Sequence, residues 1–269
     1  MATNVFWNAQ RPTGVGFSSR RSNDNANASL TVRIIALMCE QYVAIAAAPF
    51  RIGDLWPITE RLEQFGLAGF GWGATWRDSS GDLRSHRDVG AFRDDPAREH
   101  VGDESTRALL VHLRRPSKFS TIGPPDTQPF DDPAGRYAFS HNGDLVNDGP
   151  FRKRYRDAGR IHGKADTEVA ARWLEDEWPG PAAAPAALRS LHQTFGGHAN
   201  LAVLTREGEA HHYAGNDENP VFTFEIPVRG ASVRLACTGM YSLDRSVFKY
   251  VVPEATNRHI VPRGATASL

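Results

Sequence analysis

Hydrophobic positions along this chain fall into two periods. Residues 43–48 form an unbroken apolar run of strand length. From Asp54 the spacing becomes helical: Leu55, Ile58, Leu62 and Phe65 recur on one side, with Asp54 placed to cap and Gly66 to stop. Residues 69–76 read as a Gly/aromatic strand, 78–82 as a hairpin turn and 83–86 as the returning strand. Glycine inside a strand points to another backbone or a ligand approaching closely. Residues 87–98 are charged and read as loop, and 108–113 as a buried strand. Residues 120–133, rich in Pro, Thr and Asp, read as a long loop of the kind that often carries function.

Residues 137–140 read as a short strand running into His141, Asn142 and Gly143. Basic helical turns follow at 151–158. A helix is expected over 165–178, with Asp166 in its first turn and Val169, Ala170, Trp173 and Leu174 inward. A second covers 186–195, ending at Gly196 and Gly197. Strands are then expected at 199–205, 210–214, 221–226, 232–237 and 259–261. Strands, two central helices and strands again suit an α+β sandwich of antiparallel sheets. The pattern does not order the strands, and no internal repeat or second domain is visible.

Residues 1–37 look different. Residues 4–30 are polar, rich in Asn, Ser, Arg and Gly, without an apolar period, and read as disordered. Residues 30–37 are apolar but short and interrupted by Arg33, without the long core of a secretory signal. A disordered extension over 1–37 and one domain over 38–269 are therefore expected. Three readings of the extension stay open. It is an upstream extension of the reading frame with Met38 the true start, which we favour; or a propeptide whose removal exposes Cys39; or a retained arm that leaves Cys39 without a free amine.

Composition narrows the function classes. The chain has 269 residues, 41% hydrophobic and 23% charged, as an ordinary globular protein does. A formal net charge of zero gives no reason to expect a nucleic-acid or anionic-membrane partner. No apolar run is long enough for a membrane-spanning helix. Two cysteines, Cys39 and Cys237, make no disulfide framework, so a reducing, cytoplasmic setting is expected.

The chemistry gathers around Met38-Cys39. Methionine removal there leaves a thiol and an α-amine on one carbon. An α-amine ordinarily titrates at about 7.7–8.0, so it can serve as base for a thiol that titrates at about 8.5. On the dipeptide alone a buried strand cysteine is the commoner reading. Taken alone, Asn142-Gly143 reads as a hairpin turn, Arg114 as a solvated strand-end arginine, and Asp166 as a helix cap or first-turn carboxylate. His211 and His212 lack metal-ligand spacing, no phosphate-cradling Gly-x-x-x-x-Gly-Lys-Ser/Thr stretch is present, and Cys237, Trp173 and Trp178 read as packing.

Six pieces in order change those readings: Met38-Cys39; Gly71-Trp72-Gly73; His112-Leu113-Arg114-Arg115-Pro116-Ser117; Pro129-Phe130; Phe139-Ser140-His141-Asn142-Gly143-Asp144-Leu145; and Ala165-Asp166-Thr167-Glu168. In this order the segment from Met38 to about residue 240 resembles the class II, or N-terminal nucleophile, glutamine amidotransferases, especially the small stand-alone type. The resemblance implies a four-layer αββα sandwich with two antiparallel sheets between helices. It implies that Cys39 attacks the glutamine side-chain amide through a γ-glutamyl thioester and releases ammonia, its own α-amine moving the proton. Asn142 and the Gly143 N–H would form the oxyanion hole. Arg114 would fork onto the substrate α-carboxylate, where guanidinium is bidentate and lysine is not. Asp166 would hold the α-ammonium. Ser117, Thr121 and His141 would line the substrate site, His112 and His141 being structural rather than catalytic. No cofactor or metal is implied, and a separate ammonia-accepting synthase subunit is a possible partner.

The sequence departs from the usual pattern in three places. Residues precede Cys39; Arg115-Pro116 stands where small residues are more usual; and Asp126-Thr127-Gln128 stands where Asn-Thr-His is frequent. These leave room for a γ-glutamyl conjugate in place of free glutamine. Two other readings stay open: an internal thiol helped by His112 or His141, and a non-catalytic or regulatory amidotransferase-like subunit.

Overall fold

Alternation along Glu40–Arg51 (β1) sorts its side chains onto two faces, Tyr42 and Ala44 entering one core and Val43 another. The computed structural model, which describes residues 39–239 and 247–269, repeats that sorting in strand after strand. After β1 come α1 (Trp56–Phe65), β2 (Trp72–Arg77), β3 (Leu83–Asp88), α2 (Ala97–Asp103) and β4 (Ser105–Leu113). Next are β5 (Phe130–Asp131), β6 (Tyr137–Asp144), α3 (Gly149–Asp157), α4 (Asp166–Glu177) and α5 (Ala184–Phe195). The chain then runs through β7 (His198–Thr205), β8 (Ala210–Gly215), β9 (Val221–Val228), β10 (Ala231–Thr238), α6 (Val247–Tyr250), β11 (Thr256–Ile260) and β12 (Thr266–Ser268). The expected extension over 1–37, and Met38 with it, lies outside the described residues.

Two antiparallel sheets result. One has the order β11-β9-β10-β1-β4-β2-β3 and the other β12-β8-β7-β6-β5. Three hydrophobic cores separate four layers. Outside the first sheet, Ile58, Leu62, Val101, Val247 and Phe248 pack on Tyr42, Leu109 and Val111. Outside the second, Val169, Leu174, Leu188, Leu191 and Phe195 pack on Phe139, Leu201 and Val203. Between the sheets the packing is small: Val43, Ala108, Leu110, Ala138, Ala202, Leu204, Ala210, Ala214 and Ala236. Continuing the same inward faces brings Gln41, His112, Ser140, Asn142, Asn200 and His212, all buried, to one end of the seam. The interior therefore grades from alanine to amide and imidazole, and the candidate site sits at the polar end.

Several expectations are corrected. Asp54 does not cap α1; it lies in the 3-10 turn Ile52–Leu55 and accepts from Arg229 Nε at 3.0 Å, while Pro57 sits in the first turn of α1. A preset proline φ suits a helix start without a side-chain cap. Phe65 is exposed and leans on Tyr250. Residues 87–98 are not all loop: Phe92 is fully buried against Trp56 and Trp72, at 4.9 Å from each, and that anchor folds a 3-10 turn there and leads into α2. Asn142-Gly143 is not a hairpin turn but strand, paired in β6 with Asn200 and Ala199. The expected close approach to a strand glycine is found at Gly73, where a Cβ would overlap the Gln128 carbonyl.

Among the described residues no helix is long and apolar enough to cross a membrane. Cys39 and Cys237 are both free thiols.

Candidate functional site

Strand parity builds the site. Asn142 points into the seam and its Nδ2 donates to the Cys39 carbonyl, joining the second sheet to the nucleophile candidate at the start of the first. His141 and Gly143 point the other way, toward α4. His141 Nδ1 lies 3.1 Å from Thr167 Oγ1 and its Nε2 3.2 Å from the His198 carbonyl, so the ring holds β6, α4 and β7 together. Gly143 has φ +145°, and a Cβ there would overlap the His198 carbonyl. Only glycine meets both demands at this position.

A cavity of about 350 Å³ opens beside the Cys39 sulfur. Arg114, Ser117, His141, Gly143 and Asp166 line it with Cys39, and Thr121 does too. Of the sequence-derived site residues, all but Asn142 face it; Asn142 is fully buried and reaches Cys39 from the seam. The pieces spread over more than 120 positions of sequence thus meet in one place.

Electrostatics at the sulfur pull both ways. Burial pushes the Cys39 thiol up, the Arg114 charge and the Arg115 backbone N–H pull it down, and Glu40 and Asp166 push it up again. The net direction is upward, so at neutral pH the group is a thiol that needs a base. The Arg115 N–H stands 3.3 Å from Sγ, placed to stabilise a thiolate once formed. The Arg115 side chain covers the Gly66 carbonyl at the end of α1, at 3.2 Å.

Neither His112 nor His141 is hydrogen-bonded to Sγ among the described residues. Among the described residues neither buried ring nitrogen of His112 has a hydrogen-bond partner, and burial, then the Arg114 and His141 neighbours, hold its pKa well below the usual value. The His141 ring is engaged as described. Neither makes a hydrogen bond to Sγ, so the reading of an internal thiol helped by His112 or His141 finds no support in the geometry.

Arg114 is placed but engaged. It is buried, with Nη2 donating to the Thr121 carbonyl and Oγ1 at 2.6 and 2.7 Å, and Nη1 donating to the Asp126 carbonyl. A bidentate grip on a carboxylate requires the loop carrying Thr121 and Asp126 to release those donors. Asp166 accepts the Leu145 N–H at 2.6 Å and the Thr167 N–H at 2.8 Å. A carboxylate has room for about four such bonds, so it can still take an ammonium. The N-cap of α4 is Ala165 and Asp166 is its first residue, so of the two readings the first-turn carboxylate holds, with Asp166 bonded to the first-turn Thr167 N–H.

Two supports were not visible in the sequence. Gln128 acts as a substitute strand: its Oε1 accepts the His141 N–H at 2.7 Å and its Nε2 donates to the His141 carbonyl at 3.1 Å. Asp126 Oδ1 accepts the Lys164 and Ala165 N–H groups at 2.7 and 2.6 Å, fixing the approach to Asp166. Both lie in the Asp126-Thr127-Gln128 segment that departs from the usual pattern, and that departure was their one signal. Among the described residues no group of three or more His, Cys, Asp or Glu is placed to hold a metal ion.

No protein-family model matches the sequence, and no curated protein matches it. Solved structures do match its fold. A glutamine phosphoribosylpyrophosphate (PRPP) amidotransferase from B. subtilis, complexed with ADP and GMP, aligns at TM-score 0.62 and 18% identity, over 86% of this chain and 49% of that one. A structure described as the allosteric regulatory enzyme of purine biosynthesis aligns at 0.63 and 17%, over 86% and 48%. A glutamine aminotransferase class-II domain protein from Silicibacter pomeroyi aligns at 0.49 and 15%, over 85% and 98%. The chain spans about half the length of the first two. With two antiparallel sheets between helix layers, and the first two of these structures aligned over 86% of its length, the chain has an α+β, four-layer αββα sandwich, the fold that its resemblance to the class II amidotransferases implies.

Proposed function

We propose that this protein is a class II glutamine amidotransferase-type amidohydrolase that uses Cys39 against a γ-glutamyl amide. The observation that carries the reading is the meeting of Cys39, Arg114, Ser117, Gly143 and Asp166 on one cavity wall, with Asn142 bonded to Cys39 from behind. Processing to Cys39 frees the α-amine. That amine takes the thiol proton as Sγ bonds to the γ-carbonyl carbon, and passes it to the amine that leaves as the C–N bond breaks. Asn142 Nδ2 and the Gly143 N–H receive the developing oxyanion, each such donor being worth about 3–4 kcal/mol of barrier. Water then attacks the thioester and releases glutamate. Arg114, on leaving Thr121 and Asp126, binds the α-carboxylate, and Asp166 binds the α-ammonium. With glutamine as substrate, ammonia goes to water or to a separate synthase subunit.

The cavity favours a second substrate reading within the same chemistry. At about 350 Å³ it is in the range of about 300–1,000 Å³ that holds ligands larger than one amino acid. A γ-glutamyl conjugate would fill it more fully than glutamine.

The test is release of glutamate, and of ammonia or amine, by protein whose first residue is Cys39, beside the Cys39→Ala variant. Release by the first and none by the second is expected. Equal release from both removes Cys39 from the mechanism, and release by neither, in folded protein, favours the non-catalytic subunit.

A further inference from the structure

Glutamine is a zwitterion with a neutral side chain, so binding it calls for one cation and one anion. Arg114 and Asp166 supply these in the reading above, on which this inference rests. The cavity holds more charge than that. Arg115, Lys118, Arg152, Arg156 and Lys164 also line it, against the further carboxylates Asp144 and Asp148. Arg152 is closed off by Asp148 at 2.6 Å. Asp144 remains as the one further carboxylate among the lining residues. A marked positive excess therefore surrounds a site in a chain whose formal net charge is zero.

The pairing along α3 shows where that excess is directed. Arg152 pairs with Asp148, Lys153 with Asp157 and Arg154 with Asp176. Arg156 has no carboxylate partner among the described residues, and it faces the cavity. Lys118 and Lys164 likewise have none among the described residues, and both are exposed at the cavity wall. Three elements (the loop after Arg114, α3, and the segment before α4) thus each bring one unneutralised cation to the same opening. Backbone bonds hold two of the three in place: the Lys118 carbonyl accepts the Thr121 hydroxyl at 2.7 Å, and the Lys164 N–H donates to Asp126 at 2.7 Å.

We infer that the physiological substrate is a γ-glutamyl amide whose amine portion carries an anionic group, a carboxylate, sulfonate or phosphate, received by Lys118, Arg156 and Lys164. The γ-glutamyl end sits at Arg114 and Asp166, the scissile amide at Cys39, and the leaving amine projects outward to the basic rim. The same rim raises the local concentration of an anionic substrate, an effect that salt screens.

The experiment compares three compounds on the protein as purified, its first residue fixed by intact mass: γ-glutamylglycine, γ-glutamyltaurine and the neutral γ-glutamylethylamide. The kcat/KM for the two anionic compounds is expected to exceed that for the neutral one by about tenfold at low salt, the scale of electrostatic steering and a few exposed pairs. That ratio falls toward one as ionic strength rises. It falls toward one as well in the Arg156→Gln/Lys164→Gln double variant, and below one in Arg156→Glu/Lys164→Glu, while Arg156→Lys retains it. Comparing glycine with taurine conjugates separates carboxylate from sulfonate. Turnover of the neutral compound at or above the rate of the anionic ones, or a ratio unmoved by charge reversal, overturns the basic rim and leaves the Cys39 chemistry standing. Release from none of the three by protein that releases ammonia from glutamine overturns this inference alone, and release from none of them and none from glutamine overturns the Cys39 chemistry with it.

Discussion

Asn142→Ala separates catalytic from structural roles at the sheet seam. The residue is fully buried; its Nδ2 donates to the Cys39 carbonyl and its Oδ1 has no partner among the described residues. Truncation leaves that carbonyl short of a donor, costing about 1–2 kcal/mol, partly offset by removal of an unpaired oxygen. For a domain of this size, each kcal/mol moves the melting temperature by about 2–4 °C, so a fall of about 2–8 °C is expected. The amide's second hydrogen is the one that would meet an oxyanion, and its loss should lower kcat by about 10²–10³-fold. KM should change little, because the donor acts on charge that develops only in the transition state. Steady-state glutamate release gives the rates and thermal unfolding the stability. Asn142→Asp keeps the volume but turns a donor into an acceptor, so it should lose at least as much rate. A folded Asn142→Ala protein within threefold of the wild-type kcat would refute the oxyanion assignment.

Two further predictions follow from backbone fit and from burial. Gly143→Ala places a methyl on the His198 carbonyl at a φ of +145°, so steric overlap adds to backbone strain of about 1–3 kcal/mol; the variant should melt more than about 5 °C lower, and one melting within 2 °C of wild type would show that β6 and β7 separate freely. Burial lowers the His212 pKa to about 3, and Gln41 Nε2 at 3.3 Å donates to its Nε2; below an unfolded value of about 6.5 the unfolded chain takes a proton the folded one refuses, so stability present above that pH is lost as pH falls toward 3, by about 2 kcal/mol at pH 5. Denaturant melts of wild type and His212→Gln between pH 7 and 4.5 should give a shallower loss for the variant; parallel curves would clear His212 of a part in acid sensitivity.

The sandwich was readable wherever burial imposed a period. Val169, Ala170 and Leu174 marked α4, and the apolar stretches at 43–48 and 108–113 marked β1 and β4, which the structure places between two cores. Trp173 is only partly buried, packed edge-on to Phe195. Elements that went unread are short: β5 has two residues, α2 seven, α6 one turn, and β12 is a three-residue edge strand with no fully buried position. Asn142-Gly143 was ambiguous for a physical reason, since the pair suits a positive φ in a hairpin and beside a crowding carbonyl alike. The side-chain clamps of Gln128 and Asp126 join segments 13 to 39 positions apart, and no local pattern encodes such partners.

The alanine-rich packing between the two sheets has a consequence for tuning the candidate site from a distance. Cys39 belongs to one slab and Asn142 to the other, so their spacing is set by the thickness of the filling, which Ala138, Ala202 and Ala236 keep thin. Enlarging any of them works as a shim, prying the slabs apart at a point that never touches a ligand. Variation there would surface as altered turnover, and a survey confined to cavity-lining positions would miss it.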